Sequence, residues 1–167
     1  GGSPSGRYGG AGTVYMAKSG TPTDTLRTLT INNNSNTNAG TPIPSSTTWT
    51  VDTLNINNAG DLRIPSGTTL TMSSTSGDFD STAGSNNYVR VASGGTLTWP
   101  TMTYTINGAI ILDIDSGSTF TSSNTSLTIA SGGTLQMNDT TQLTFPTITV
   151  QSGGNITHTT NTTALSY

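Results

Sequence analysis

Two Asp-x-Asp pairs are the residues best spaced for chemistry, Asp78 with Asp80 and Asp113 with Asp115. On a β-strand the partners of such a pair leave the same face about 7 Å apart. Two hard oxygen donors side by side suit Ca²⁺ better than Zn²⁺, because the chain has no Cys and a single His. Two carboxylates supply only part of the roughly six to eight ligands that Ca²⁺ takes, so the plainer reading is a solvated or turn-capping pair. The lone His158 has no acidic neighbour in sequence and reads as an exposed imidazole, and the serines sit in turns, so no nucleophile triad can be assembled. No catalytic or cofactor-binding residue is expected, and Ca²⁺ at the aspartate pairs is the one cofactor the residues admit.

A second pattern is threonine on both sides of an apolar residue. It occurs at Thr28-Leu29-Thr30, Thr48-Trp49-Thr50, Thr69-Leu70-Thr71, Thr96-Leu97-Thr98, Thr119-Phe120-Thr121 and Thr147-Ile148-Thr149. Stacked in register, these would form outward hydroxyl ladders, an arrangement that resembles solenoid ice-binding proteins. Threonine is also the ordinary choice for an exposed strand position, being β-branched and soluble, and this accounts for most of the pattern. Tyr8, Tyr15, Trp49, Tyr88, Trp99, Tyr104 and Tyr167 would be the aromatic platform of a sugar-binding surface, but alternation puts Trp99 on the side of Leu97 and hence inside. Asn-x-Ser/Thr sequons at Asn33, Asn124, Asn138, Asn155 and Asn161 are no more than this composition gives by chance.

What must position these residues is a repeat. Val91, Ser93, Gly94, Gly95, Leu97 is echoed by Ile129, Ser131, Gly132, Gly133, Leu135 and by Val150, Ser152, Gly153, Gly154, Ile156. Looser copies join Ile56 to Leu62 through Gly60, Ile64 to Leu70 through Gly67, and Ile114 to Phe120 through Gly117. Strand, Gly-containing corner, strand is the unit of a solenoid, in which each coil buries its apolar edge against its neighbours.

Composition points the same way. Leu, Ile, Val and Phe total 30 of 167 residues, few enough to suggest disorder, but the net charge of −3 is too low for it and the apolar residues alternate within short runs. With no Glu, one Lys, 37 Thr and 21 Ser, the chain is poor in helix formers and rich in strand formers. No apolar run is long enough to span a bilayer as a helix, and the dispersed Arg7, Lys18, Arg27, Arg63 and Arg90 make no patch for nucleic acid.

Residues 1–12, with six glycines, read as an arm or linker and 13–167 as one β-helix domain, with a first strand near Thr13 to Ala17. Residues 32–46 and 73–87 read as polar loop insertions, and Trp49 to Ile56 as one strand. Strand ends recur from Ile31 to Ile56, from Ile106 to Ile129 and from Ile129 to Val150, a period near 23 that fits one coil of a parallel β-helix. The expected fold is therefore all-β, a single-stranded right-handed parallel β-helix of about six coils, with an antiparallel β-sandwich as the alternative.

The Ser-Gly-Gly copies resemble the repeats of bacterial autotransporter passengers and related pectin-lyase-like surface β-helices, and Gly9 to Tyr15 is similar to segments of large secreted bacterial repeat proteins. The resemblance implies an extracellular or cell-surface location and, most often in such families, an adhesin, stalk or fibre; a minority are polysaccharide lyases or hydrolases, and a lyase-like site would imply Arg63 or Arg90 as the base, near Asp61, Asp78 or Asp80. A solenoid leaves unpaired strand edges at its ends, and with no helix to cap them the coils are expected to continue in a longer chain or to stack end to end. The expected function is a fibre subunit or segment that associates with itself. An adhesin or carbohydrate-binding module that takes surface glycans is the alternative, and a lyase-like enzyme is third.

Overall fold

Alternation of threonine with aliphatic residues gives short strands, and the Ser-Gly dipeptides between them give the corners. The computed structural model describes residues 12–17, 27–33, 35, 40–72, 76–79, 86–98, 103–106, 108–121, 126–137 and 147–158, and among these it is all strand, turn and bend with no helix. The strands in chain order are β1 Gly12–Ala17, β2 Arg27–Asn32, β3 Thr41–Pro42, β4 Thr48–Val51, β5 Thr53–Asn57, β6 Asp61–Ile64, β7 Thr69–Met72, β8 Ser76–Phe79 and β9 Asn87–Val91. They continue as β10 Thr96–Thr98, β11 Thr103–Ile106, β12 Ala109–Ile114, β13 Thr119–Thr121, β14 Ser126–Ile129, β15 Thr134–Met137, β16 Thr147–Val150 and β17 Asn155–His158.

From β2 to β12 each strand lies beside the one three places further along, and β16 and β17 lie beside β14 and β15, so the chain winds into a parallel β-solenoid of about four turns with three faces. The first face carries β1-β2-β5 and β8-β11-β14-β16, with β5 beside β8. A second face carries β3-β6-β9-β12-β15-β17, and the third β4-β7-β10-β13. Registers follow the spacings seen in the sequence: Ile31 pairs Ile56, Ile106 pairs Ile129, and Ile129 pairs Val150. The period is not uniform, because Val91 lies opposite Ile64 and the 73–87 insertion lengthens that coil.

The six corner copies divide into two sets. Those after Ile56, Ile129 and Val150 turn the first face into the second, and those after Ile64, Val91 and Ile114 turn the second into the third. Five are four-residue turns centred on Ser-Gly, with positive φ at Gly67, Gly94, Gly117, Gly132 and Gly153, the requirement of a type II turn. The sixth uses Asn58 and Ala59, both with positive φ, and closes with Gly60 N–H donating to Asn57 O at 3.0 Å. Corners also bond along the stack: Gly67 N donates to Gly94 O (2.9 Å), Gly94 N to Gly117 O (3.0 Å) and Gly132 N to Gly153 O (3.0 Å). The repeat is thus spelled in Ser-Gly because each of these five corners turns the chain from one face to the next through a residue with positive φ.

The core lies along the axis as rows of stacked aliphatics. Leu29 with Leu54, Leu62 with Val89 and Leu112, Ile64 with Val91 and Ile114, and Leu70 with Leu97 are all buried. Trp49 and Phe120 close the third face's inner row at its two described ends, half buried.

Four local expectations change. Trp49 to Ile56 is not one strand: it breaks at Asp52, where the apolar positions shift from 49 and 51 to 54 and 56. There Arg27 grips Asp52, its Nε donating to Oδ2 at 3.1 Å and its Nη2 to Oδ1 at 3.2 Å, while Asp52 N donates to Arg27 O at 2.7 Å. The two polar loops each contain a strand, β3 and β8, held by main-chain pairing to β6 and β11. Both ends were expected to be open, yet at the N-terminal end β1 lies antiparallel on β2, Gly12 opposite Asn32 and Ala17 opposite Arg27. His158 is half buried and not exposed, since it stands opposite Met137 in an inward row. Of the arm expected at 1–12, Gly12 begins β1 and residues 1–11 lie outside the described residues.

Candidate functional site

Charged side chains collect on the outside of the second face. β6, β9 and β12 place Asp61 opposite Tyr88, and Arg63 opposite Arg90 opposite Asp113. Arg90 bridges two coils, its Nε donating to Asp61 Oδ1 at 3.0 Å and its Nη1 to Asp113 Oδ2 at 2.7 Å. Arg63 Nη2 donates to the other oxygen of Asp61 at 2.9 Å. The Arg90 guanidinium also sits 4.1 Å from the centre of the Tyr88 ring, a cation–π contact that fixes its plane. Asp61 is the hub: its side chain is 9% exposed, whereas Arg63 and Arg90 are 51% and 31% exposed.

This arrangement ties three coils together. Asp113 is engaged by Arg90, and Asp115 is exposed at the next corner, where its carbonyl accepts from Ser118 Oγ at 2.6 Å. Ile114 between them is buried, as the alternation required. Asp78 lies on β8 opposite Thr105, and Asp80 falls outside the described residues. Among the described residues no three His, Asp or Glu side chains come together in a way that could hold a metal ion. Arg63 and Arg90, the residues a lyase-like reading would use as base, both bind carboxylates, the ordinary role of a guanidinium.

Replacing Asp61 with Asn would leave two guanidiniums sharing a neutral partner. Because both are partly solvated, the expected loss is modest, about 1–2 kcal/mol in unfolding free energy. Urea denaturation of the variant against the parent checks this, with high salt narrowing the difference.

The third face is different in kind. Thr48, Thr69, Thr96 and Thr119 stand opposite one another in one row, and Thr50, Thr71, Thr98 and Thr121 in a second. Every outward position on these four strands is threonine. On the first face the corresponding rows are interrupted, with Asn55 opposite Thr30 and Asp78 opposite Thr105.

Among the described residues, large apolar side chains are exposed only on the last two strands, β16 and β17. Ile148, Val150 and Ile156 are 40%, 47% and 40% exposed, although their register partners Leu127, Ile129 and Leu135 are at most 1% exposed. No family model, curated protein or solved structure matches the chain. Its function therefore has to be read from these three surfaces alone.

The corner glycines named from sequence, Gly60, Gly67, Gly94, Gly95, Gly117, Gly132, Gly133, Gly153 and Gly154, all lie at coil corners between consecutive strands. Of the aromatics, Trp49 points inward with Nε1 donating to Thr47 Oγ1 at 2.6 Å, and Tyr88 is covered by Arg90. The sequon residue Asn33 is buried, its Nδ2 donating to Ala59 O at 3.4 Å. No helix among the described residues is long and apolar enough to cross a membrane. Sequence reasoning missed the Arg90 bridge, since Asp61 and Asp113 become its neighbours only through coil register.

Proposed function

We propose that the chain is a structural element of an extracellular fibre, a right-handed solenoid of about six coils whose C-terminal end is covered by a further coil. The supporting observation is the abrupt exposure of Ile148, Val150 and Ile156 at the end of rows that are otherwise dry. Strands β16 and β17 are also the outermost of their sheets among the described residues, and such edges pair readily with another strand. The covering coil belongs to a second copy or to a continuation of the same polypeptide. In either case association runs through the exposed Ile148, Val150 and Ile156.

The N-terminal end does not mirror this, because β1 runs antiparallel to the coils and interrupts their parallel stacking on the first face. The C-terminal end is thus the adhesive one. Light scattering across a concentration series should show the parent chain gaining mass, while Val150→Lys with Ile156→Lys stays monomeric at the same concentrations. Unchanged association in the double variant would refute the reading. The alternative of a glycan-binding module draws no support from Trp49 and Phe120, which are half buried against the core, or from Tyr88, which is covered by Arg90.

A further inference from the structure

The threonine rows of the third face are not used by the fibre reading, and solubility does not explain them. If threonine were only a convenient exposed strand residue, all three faces would carry it alike. The second face instead carries Asp61, Arg63, Tyr88, Arg90 and Asp113 at its outward positions, and the first face has breaks in its rows. On the third face the threonine is unbroken over four coils and no charged residue occurs on β4, β7, β10 or β13.

The hydroxyls are also unengaged among the described residues. Thr30 on the first face accepts from Asn55 Nδ2 and Thr47 beside the third face donates to Pro44 O, but none of the eight row hydroxyls has a partner among the described residues. They form a grid: coil to coil the spacing is about 4.8 Å, and along each strand from one threonine to the next it is about 6.6 Å. Each node presents one hydroxyl and one methyl, which together hold a water by a hydrogen bond and restrict its neighbours against an apolar surface.

We infer that the third face binds the surface of ice. Oxygen atoms on the prism faces of hexagonal ice repeat at two distances close to those of this grid, so waters held by the rows sit near lattice positions. An uncharged face is complementary to an uncharged lattice, whereas an ion orders water in its own shell and breaks that register. A polysaccharide would call for exposed aromatic rings to stack on sugar, and the aromatics of these strands, Trp49 and Phe120, face inward. Each contact is weak, and adhesion comes from many nodes being satisfied at once, as in any multivalent surface.

The test uses the full chain and ice grown slowly from its solution. The parent protein should be enriched in the ice fraction and should separate freezing from melting temperature. Thr98→Tyr, in the middle of the grid, should lose both effects, as should Thr121→Tyr in the exposed outer strand should the first variant fold poorly. Thr128→Tyr on the first face should keep them, and circular dichroism melting identifies the variants that retain the fold. Exclusion of the parent protein from ice overturns the inference. So does equal enrichment of folded Thr98→Tyr or Thr121→Tyr, or retention of the parent on insoluble cellulose or chitin without any enrichment in ice.

Discussion

Replacing Leu97 with Ala is expected to lower the unfolding free energy by about 2–5 kcal/mol. Leu97 is fully buried between Leu70 and Phe120 in the inner row of the third face. Neighbouring coils are hydrogen-bonded at their corners, Thr96 N donating to Thr68 O at 2.9 Å and Thr119 N to Gly95 O at 2.9 Å, so they cannot collapse into the space the side chain leaves. The cavity term therefore persists in full, and the cost belongs in the upper part of that range. The same truncation at the open end should be mild: Val150→Ala removes a side chain already 47% exposed and is expected to cost less than about 1 kcal/mol. Urea denaturation of both variants measures the contrast. Equal losses would mean that the inner rows are not continuous.

A second large effect is expected at Gly95, where even alanine should cost about 2–4 kcal/mol. A Cβ there would lie 2.8 Å from Ile64 O, 2.9 Å from Ala92 O and 3.1 Å from Pro65 O, all of them main-chain atoms. Those carbonyls hold the coil together, Ile64 O accepting from Ala92 N at 3.0 Å and Ala92 O from Gly95 N at 2.7 Å, so relief of the clash breaks hydrogen bonds between and within coils. Gly132 provides the control. Nothing lies within 4 Å of its added Cβ, but its φ is +79, so Gly132→Ala carries only the backbone strain of a left-handed residue, about 1–2 kcal/mol. Thermal melts of the two variants should rank Gly95→Ala well below Gly132→Ala. The two glycines of a Ser-Gly-Gly corner are thus required for different reasons, the first for turn geometry and the second for close approach between coils.

How much of this was legible depends on whether a feature is written locally. Coil registers such as Ile31 with Ile56 and Ile129 with Val150 were readable because the rows are aliphatic and the corners between them share a spelling. β8 was not, since Ser76-Gly77-Asp78-Phe79 has a single large apolar residue and owes its pairing to β11. β3 is two residues long, and Pro42 suits its place at the edge of the described sheet. The corner at Asp52 did leave a trace, a slip in the phase of the apolar residues between Val51 and Leu54, reinforced by Arg27 on the preceding coil. The antiparallel course of β1 left none, because strand direction is set by the chain that returns to β2 and not by the alternation within Gly12–Ala17. Asp113 and Asp115 were correctly placed on either side of a buried Ile114, but Asp113's partner, Arg90, is 23 residues away and adjacent only in the folded stack. The threonine grid was visible as six separate tripeptides; only register shows that four of them form one uninterrupted face.

The central claim is that apolar rows run the length of the solenoid and stay open at its C-terminal end until another coil covers Ile148, Val150 and Ile156. Negative-stain electron microscopy of the full chain at high concentration tests it most directly. The account predicts paired rods or filaments joined end to end, lost when Val150 and Ile156 are both replaced by Lys. A field of single short particles at every concentration would contradict it.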